Sequence, residues 1–334
     1  MAGRGAAGAL GLTMALTAIP GLSPESYRPH ALHGPDRLWP ETNCSLDLWI
    51  ELLHALGLPP EPALTIAARQ DFEGDQFGFT KPMPEDLEAL FGLRLQELAI
   101  FEAVEAHVER QLARGRICLV EVDPFFLPDT GQASYRRQHG KTTIGVNVLD
   151  RSARRVEYFH NAGYFAAEGE NVEGLFGLAL ADGALYRPYV EVTNLDPRAP
   201  DPAELRRLGL ALLERDWARR PAANPVRAFQ AVTAEQAERL VGQGQQAFHD
   251  YAFHTARMLG ANFELLGASL DWLSEGPDPR AAHCRAIAES TKAFPLHLAR
   301  ALARRRFDAL APALDPAAEA WDALFEAAPV REAA

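Results

Sequence analysis

The sequence contains few cysteines and, beyond its N-terminus, no hydrophobic run long enough to cross a membrane. Three cysteines, Cys44, Cys118 and Cys284, occur among its 334 residues. They are too few and too scattered for a disulfide framework, and no two of them have the spacing of metal ligands. A membrane-spanning helix needs about 20 apolar residues. We therefore expect no disulfide scaffold, no metal site and no membrane partner, and no motif points to a cofactor.

An excess of basic residues is also missing. Lysine and arginine together number 33 against 45 aspartates and glutamates, which gives a net charge of -12. This acidity excludes a dedicated nucleic-acid binder, because such proteins normally present a basic surface. The hydrophobic fraction of 48% and the charged fraction of 23% are typical of a folded chain. The length allows one large domain or two ordinary ones.

The N-terminus resembles a short secretory signal, since Arg4 precedes a run rich in alanine and leucine. No clean small-x-small cleavage site follows, and translation could equally start at Met14. We predict a cytoplasmic protein with a loose tail over residues 1–25. The next segment is rich in proline, histidine and glycine and indicates an extended approach, in which we expect His33 to lie at the surface.

Cys44 stands in the first turn of a predicted amphipathic helix that ends at Gly57. Thr42 or Asn43 is the expected N-cap, because either side chain can accept the free N–H groups of that turn. Apolar residues recur at helical spacing at Leu46, Trp49, Ile50, Leu53 and Leu56. The positive end of the helix dipole favours a thiolate, so Cys44 is a candidate nucleophile. The alternative is a small buried residue beneath the helix start.

The middle of the chain changes to β-strand patterns, and the remainder is helical. Strands are predicted at residues 116–122, 142–149 and 155–159, with a weaker one at 189–192. Helices are predicted before them, including one over residues 96–113, and again from residue 202 onward. The pattern predicts an α+β protein with a helix-on-antiparallel-sheet domain over residues 26–200 and an all-helical domain over residues 201–334.

Two residues near these strands could serve a cysteine nucleophile. His139 comes just before the strand at 142–149, and Asn161 follows the strand at 155–159. An antiparallel hairpin brings the start of one strand beside the end of the next, so we predict that the two are neighbours. A thiolate needs a base, and the base needs an orienting partner. The predicted constellation is Cys44 as nucleophile, His139 as base and Asn161 as orienting residue.

Polar residues in the connecting loops are candidates for binding a substrate. The segment 70–82 alternates aromatic and polar residues, as loops that line a site often do, and includes Gln76 and Lys81. The connection that leads to His139 contributes Asp123 and Tyr135. A loop of this composition can also simply hold a turn.

Several short motifs carry a resemblance to a known family. They are Asn43-Cys44, Gly74-Asp-Gln, Val122-Asp123 with Leu127-Pro-Asp-Thr, and Tyr135 through His139-Gly-Lys-Thr142. In these residues the chain resembles a bacterial papain-like family of unknown function, from about Tyr27 to its end. That family is similar to the N-terminal domain of the butirosin-biosynthesis acyltransferases and, more distantly, to bacteriocin-processing cysteine peptidases.

The resemblance implies acyl transfer from a carrier-protein thioester, linked through phosphopantetheine, to a small-molecule amine acceptor. Cys44 would carry the acyl group, with His139 as base and Asn161 as orienting residue. Papain-like peptidases usually have an oxyanion-hole glutamine before the cysteine, but no glutamine occurs from Met1 to Cys44. Asn43 or the backbone N–H of Cys44 would have to replace it. Two other functions remain open: a cysteine peptidase or amidase, and a non-catalytic scaffold that binds a carrier protein.

Overall fold

A computed structural model describes residues 15–131, 133–177, 189–194, 197 and 201–326. The chain divides into two compact units, neither of which is continuous in sequence. The sheet unit comprises residues 1–27, 96–159 and 164–195, and the helical unit comprises residues 28–95, 160–163 and 196–334. The predicted α+β class is confirmed, with an antiparallel sheet and helices followed by a helical C-terminal region.

In the sheet unit, a strand lies close to each of the four predicted positions, and further strands that were not predicted join them. The described strands are β1 (Leu16–Thr17), β2 (Leu95–Glu97), β3 (Arg116–Val122), β4 (Thr142–Asp150), β5 (Arg155–His160), β6 (Gly163–Glu168) and β7 (Val190–Asn194). Their order is β2-β7-β3-β4-β5-β6, with β1 beside β4. Strand β4 is antiparallel to β1, β3 and β5. The hairpin of β4 and β5, which the sequence predicted, is therefore confirmed.

The helix predicted over residues 96–113 is wrong in its first half. Residues Leu95–Glu97 form β2, and helix α3 spans Val104–Leu112. Its buried residues Val104, Val108 and Leu112 belong to the same apolar cluster as Val120 and Ile144 of the sheet. Helix α4 (Glu170–Leu175) follows β6.

The start of the described chain is held in the sheet by a buried asparagine. Asn147 of β4 accepts the N–H of Ile19 (2.7 Å) and donates to the carbonyl oxygen of Ile19 (3.0 Å). It also donates to the hydroxyl of Tyr164 (2.9 Å). The prediction of a loose tail over residues 1–25 is therefore wrong for its described end, because β1 and Ile19 pair with the sheet. Residues 1–14, with the question of a start at Met14, lie outside the described residues.

The helical unit contains one extended apolar cluster, and Leu46 and Ile50 belong to a smaller one. The helices of this unit are α1 (Cys44–Ala55), α2 (Pro84–Phe91), α5 (Pro202–Ala218), α6 (Pro225–Arg239), α7 (Gly244–Ala252), α8 (Met258–Leu273), α9 (Pro279–Arg304) and α10 (Asp315–Glu326), with a 3₁₀ helix at Glu61–Arg69. In the region predicted to be helical from residue 202 onward, α7 and α8 are joined by a π-helical turn at Phe253–Arg257. Of the helices in the described ranges, none is both long and apolar enough to cross a bilayer.

Helix α8 holds the segment that leads to Cys44. Glu264 accepts the N–H groups of Leu38 and Trp39, both at 2.9 Å. The indole of Trp39 donates to the carbonyl oxygen of Ala288 (3.2 Å). At Gly260, a Cβ atom would lie only 2.5 Å from Nε1 of Trp39. Glycine at this position of α8 therefore allows the segment with Trp39 to pack closely against the helix. Arg257 donates to the carbonyl oxygen of Glu41 (3.1 Å).

Candidate functional site

Cys44 is the first residue of α1, as the sequence predicted. Asn43 is extended (φ -153°, ψ 162°), and its side-chain oxygen accepts the N–H groups of Ser45 (2.9 Å) and Leu46 (3.0 Å). Of the two predicted caps, the N-cap is therefore Asn43. Cys44 itself is half-buried and forms no disulfide. It lies where the backbone donors and dipole of the helix stabilise a negative charge.

The amide nitrogen of Asn43 connects the start of this helix to a loop by a hydrogen bond. Nδ2 of Asn43 donates to the carbonyl oxygen of Thr80 (2.9 Å), and the side chain is 2% exposed. Both polar atoms of the amide are thus engaged within the fold. These bonds position Asn43 between the helix start and the loop, and its predicted role in substrate binding stays a prediction.

A buried polar cluster fixes Thr80 in turn. Thr80 donates its hydroxyl to Oε1 of Gln70 (2.9 Å), and Gln70 donates to the carbonyl oxygen of Gly78 (2.9 Å). Asn262 of α8 donates to Gln70 and to the Thr80 hydroxyl (3.2 Å for the second bond). These residues were not among those predicted from the sequence. A signal existed, since Asn262 is a polar residue inside an otherwise strongly apolar helix.

Two further candidates lie in the same loop with different surroundings. Gln76 is exposed and stands near the tip of a small hairpin, in which its carbonyl oxygen accepts the N–H of Glu73 (2.8 Å). Lys81 is exposed and lines a cavity together with Gln70 and Thr80. Their predicted roles in binding stay predictions.

A buried charged cluster joins His33 to two carboxylates of α1, the helix that begins at Cys44. His33 is hydrogen-bonded through Nδ1 to Glu51, and its Nε2 lies 3.4 Å from Asp47. Asp47 also accepts the N–H of Thr42 (2.7 Å). Burial alone would lower the pKa of His33, but the hydrogen bonds to Asp47 and Glu51 outweigh it and raise that pKa to about 9. The expectation that His33 lies at the surface is wrong, because two carboxylates of α1 hold it as a buried cation.

His139 belongs to the sheet unit and has a carboxylate partner. Its Nδ1 lies 2.6 Å from Oδ2 of Asp123, and its ring stacks on Phe125 with centroids 4.3 Å apart. The other Asp123 oxygen accepts the N–H groups of Phe125 (3.0 Å) and Gly140 (3.1 Å). A carboxylate accepts a hydrogen and does not donate one, so in the neutral ring Nδ1 carries the proton and Nε2 presents a lone pair. The side chain is 71% exposed, which leaves this base open to a reactant.

Asp123 was predicted to line the substrate site, a role that stays a prediction, and the structure places its carboxylate beside the imidazole of His139. The register of the sheet explains why. Val122, the last residue of β3, pairs with Thr142, the first residue of β4. The residue after β3 therefore lies beside the residues before β4, among them His139. The same geometry applied to β4 and β5 led to the prediction that His139 and Asn161 are neighbours, which stays a prediction.

Asn161 lies in the turn between β5 and β6, with a positive φ of 43°. Asparagine tolerates this left-handed conformation better than most residues, so the turn gives a structural reason for its presence. Asn161 and Cys44 belong to the helical unit, whereas His139 and Asp123 belong to the sheet unit. The role of Asn161 as orienting residue stays a prediction.

Tyr135 braces the connection that carries His139. Its hydroxyl accepts a hydrogen bond from Asn171 (3.2 Å), which lowers its pKa. The guanidinium of Arg136 lies over the rings of Phe125 and Tyr135, at 5.6 Å from each centroid. Phe125 thus has Arg136 and the imidazole of His139 as neighbours, and the connection is ordered around its ring.

The chain belongs to the DUF1839 family, a family of unknown function. Residues 28–195 match the DUF1839 N-terminal domain, and residues 202–329 match the DUF1839 C-terminal domain. A comparison with curated proteins finds no match. The N-terminal match includes Cys44, Asp123 and His139, so these candidate residues lie within the DUF1839 N-terminal domain.

Replacement of Asn43 should change the reactivity of Cys44 as well as stability. Asn43→Ala removes both cap hydrogen bonds and the bond to Thr80, and we expect a loss of about 1–2 kcal/mol in the free energy of unfolding. Cys44 should then react with iodoacetamide no faster than a free cysteine. Asn224, which caps α6 and donates to Ala318 (2.8 Å), is the matched control. Asn224→Ala should lower the free energy of unfolding by a similar amount without changing the alkylation rate of Cys44. Equal alkylation rates in the wild type, Asn43→Ala and Asn224→Ala would contradict a role of Asn43 in positioning Cys44.

His33 should make stability depend on pH between its unfolded and folded pKa values. Because its folded pKa is raised from 6.5 to about 9, its contribution is fully present below about pH 6.5 and is lost as the pH rises through about 9. This linkage corresponds to about 3 kcal/mol. Urea unfolding at several pH values should show this decline in the wild type and not in His33→Gln. The exposed His249 supplies the control, since His249→Gln should keep the wild-type profile.

Proposed function

We propose that the chain is a thiol acyltransferase that moves an aminoacyl group from the phosphopantetheine thioester of a carrier protein to a small-molecule amine. The observation that carries the proposal is the hydrogen bond of 2.6 Å between His139 and Asp123. This bond supports His139 as a base whose proton is held on Nδ1, so that Nε2 can accept a proton from a reactant. The position of Cys44 at a capped helix start supports the nucleophile independently.

In the first half of the reaction, Nε2 of His139 takes the thiol proton of Cys44, and the sulfur attacks the thioester carbonyl. The tetrahedral intermediate collapses, the carbon–sulfur bond to phosphopantetheine breaks, and the leaving sulfur receives the proton from His139. The N–H of Cys44 stabilises the oxyanion in this scheme. Asp123 holds the imidazole and stabilises its cationic form.

In the second half, the amine acceptor attacks the acyl group on Cys44. Nε2 of His139 takes a proton from the attacking nitrogen and returns it to the sulfur of Cys44 as the carbon–sulfur bond breaks. An amide and the free enzyme result. The classes of donor and acceptor come from the resemblance to the butirosin-biosynthesis acyltransferases, and the resemblance to processing peptidases makes water the competing acceptor.

The acyl-enzyme can be trapped by intact mass spectrometry. We expect the wild type, mixed with phosphopantetheine carrier proteins loaded with different amino acids, to gain the mass of one acyl group. Cys44→Ala should gain none. Burial raises the pKa of the Cys118 thiol to about 12, so Cys118→Ala is the matched control and should be acylated like the wild type. Product formation by Cys44→Ala would refute the proposal, and release of free amino acid at the same rate with and without amine would indicate a hydrolase.

Asp123→Asn should lower the rate of acyl-enzyme formation by about 10²- to 10⁴-fold, because an amide no longer holds the proton on Nδ1. The control is Asp150→Asn at the end of β4, where Asp150 accepts hydrogen bonds from Ser152 and Ala153 of the following turn. It should leave the rate unchanged. Asn161→Gly keeps the left-handed turn and removes only the amide. If Asn161→Gly forms the acyl-enzyme slowly and Asp123→Asn forms it at the wild-type rate, Asn161 is the orienting residue and the role given to Asp123 is wrong.

A further inference from the structure

A cavity of about 260 Å³ lies within the helical unit, beside the loop that Asn43 holds. Its wall is formed by the end of the 3₁₀ helix, at Ile66 and Arg69, and by loop residues from Gln70 to Met83. Pockets for drug-sized ligands usually measure about 300–1,000 Å³. This cavity is therefore suited to a smaller molecule.

The cavity wall carries charges of both signs. Arg69 and Lys81 supply two cations, and Asp71 and Glu73 supply two anions. Within the described part of the chain, Glu73 and Lys81 take part in no ion pair. Arg69 lies 3.9 Å from Asp216, a long distance for an ion pair. Most of this charge is thus available to a ligand.

The loop that carries these charges is anchored to α6 by ring contacts and a hydrogen bond. Phe72 and Phe77 pair as an isolated β-bridge and are both buried. Their rings meet Phe229 of α6 at centroid distances of 5.5 and 5.3 Å. Gln236 of α6 donates to the carbonyl oxygen of Asp75 (2.7 Å). A wall of this kind is formed before a ligand arrives, so binding has little ordering to overcome.

The cavity is also connected to the candidate nucleophile through two residues. Thr80 lines the cavity, and its carbonyl oxygen accepts the hydrogen bond from Asn43, the residue before Cys44. Lys81 follows Thr80 directly. A small molecule in the cavity would therefore bind one loop residue away from the cap of the Cys44 helix.

We propose that this cavity binds a small zwitterionic amine, with its carboxylate near Arg69 and Lys81 and its ammonium group near Asp71 and Glu73. The apolar side chains of Ile66, Phe79 and Met83 in the same wall would contact a short hydrocarbon part. The identification of this molecule as the acyl acceptor rests on the proposed function. Its binding to the cavity is independent of that function. Mixed charges at defined positions select a dipolar ligand over an ion of either sign.

The proposal is tested by calorimetric titration of the full-length Cys44→Ala variant with four compounds that share a six-carbon skeleton. Norleucine and 6-aminohexanoate are zwitterions, with the two charges close together or far apart, whereas hexanoate and hexylamine each keep one charge. At least one zwitterion should bind at least tenfold more tightly than both singly charged compounds. Equal binding of hexanoate or hexylamine, or no binding of any compound, would overturn the proposal.

Matched variants locate the site. Lys81→Gln should reduce the affinity for the zwitterion to that of hexylamine, and Glu73→Gln should reduce it to that of hexanoate. Glu88→Gln changes an exposed carboxylate of α2 that does not line the cavity and should have no effect. Loss of affinity in Glu88→Gln, or its retention in both cavity variants, would place the ligand elsewhere. A failure to form an acyl-enzyme, with zwitterion binding intact, would count against the proposed function alone.

Discussion

The hydrogen bond from the buried amide of Asn43 to the carbonyl oxygen of Thr80 connects the main features of the helical unit. The same side chain caps α1, so one residue sets both the start of the Cys44 helix and the position of the loop beside it. An unpaired amide would be costly at 2% exposure. The start of the helix and the loop are therefore coupled, so that a displacement of one shifts the position of the other.

Helix α8 forms hydrogen bonds with both the segment before Cys44 and the loop. Glu264 holds the backbone of the segment before Cys44, and Asn262 holds Gln70 and Thr80. The π-helical turn before α8 ends at Arg257, which contacts Glu41. A helix distant in sequence thus orients the candidate nucleophile through polar contacts, in a unit whose cohesion otherwise comes from apolar burial.

In the sheet unit, the corresponding constraint is the pairing of β3 with β4. It brings Asp123 to the imidazole of His139, and Phe125 covers one face of that ring. The candidate base is therefore oriented by strand pairing and by a ring stack, and it remains exposed to solvent. Within the sheet unit this pairing explains the orientation of the imidazole, whereas the candidate nucleophile belongs to the helical unit.

The sequence by itself determined the α+β class, the capped helix at Cys44 and the three strands at the centre of the sheet. These features depend on local periodicity and on hydrogen bonds between residues a few positions apart, which a single sequence displays. Tertiary structure alone decided that Asp123 is the partner of His139, that His33 is buried between two carboxylates of α1, and that the helical unit includes residues 28–95. Such contacts join residues distant along the chain, and no local pattern specifies which strand edges and helix faces meet.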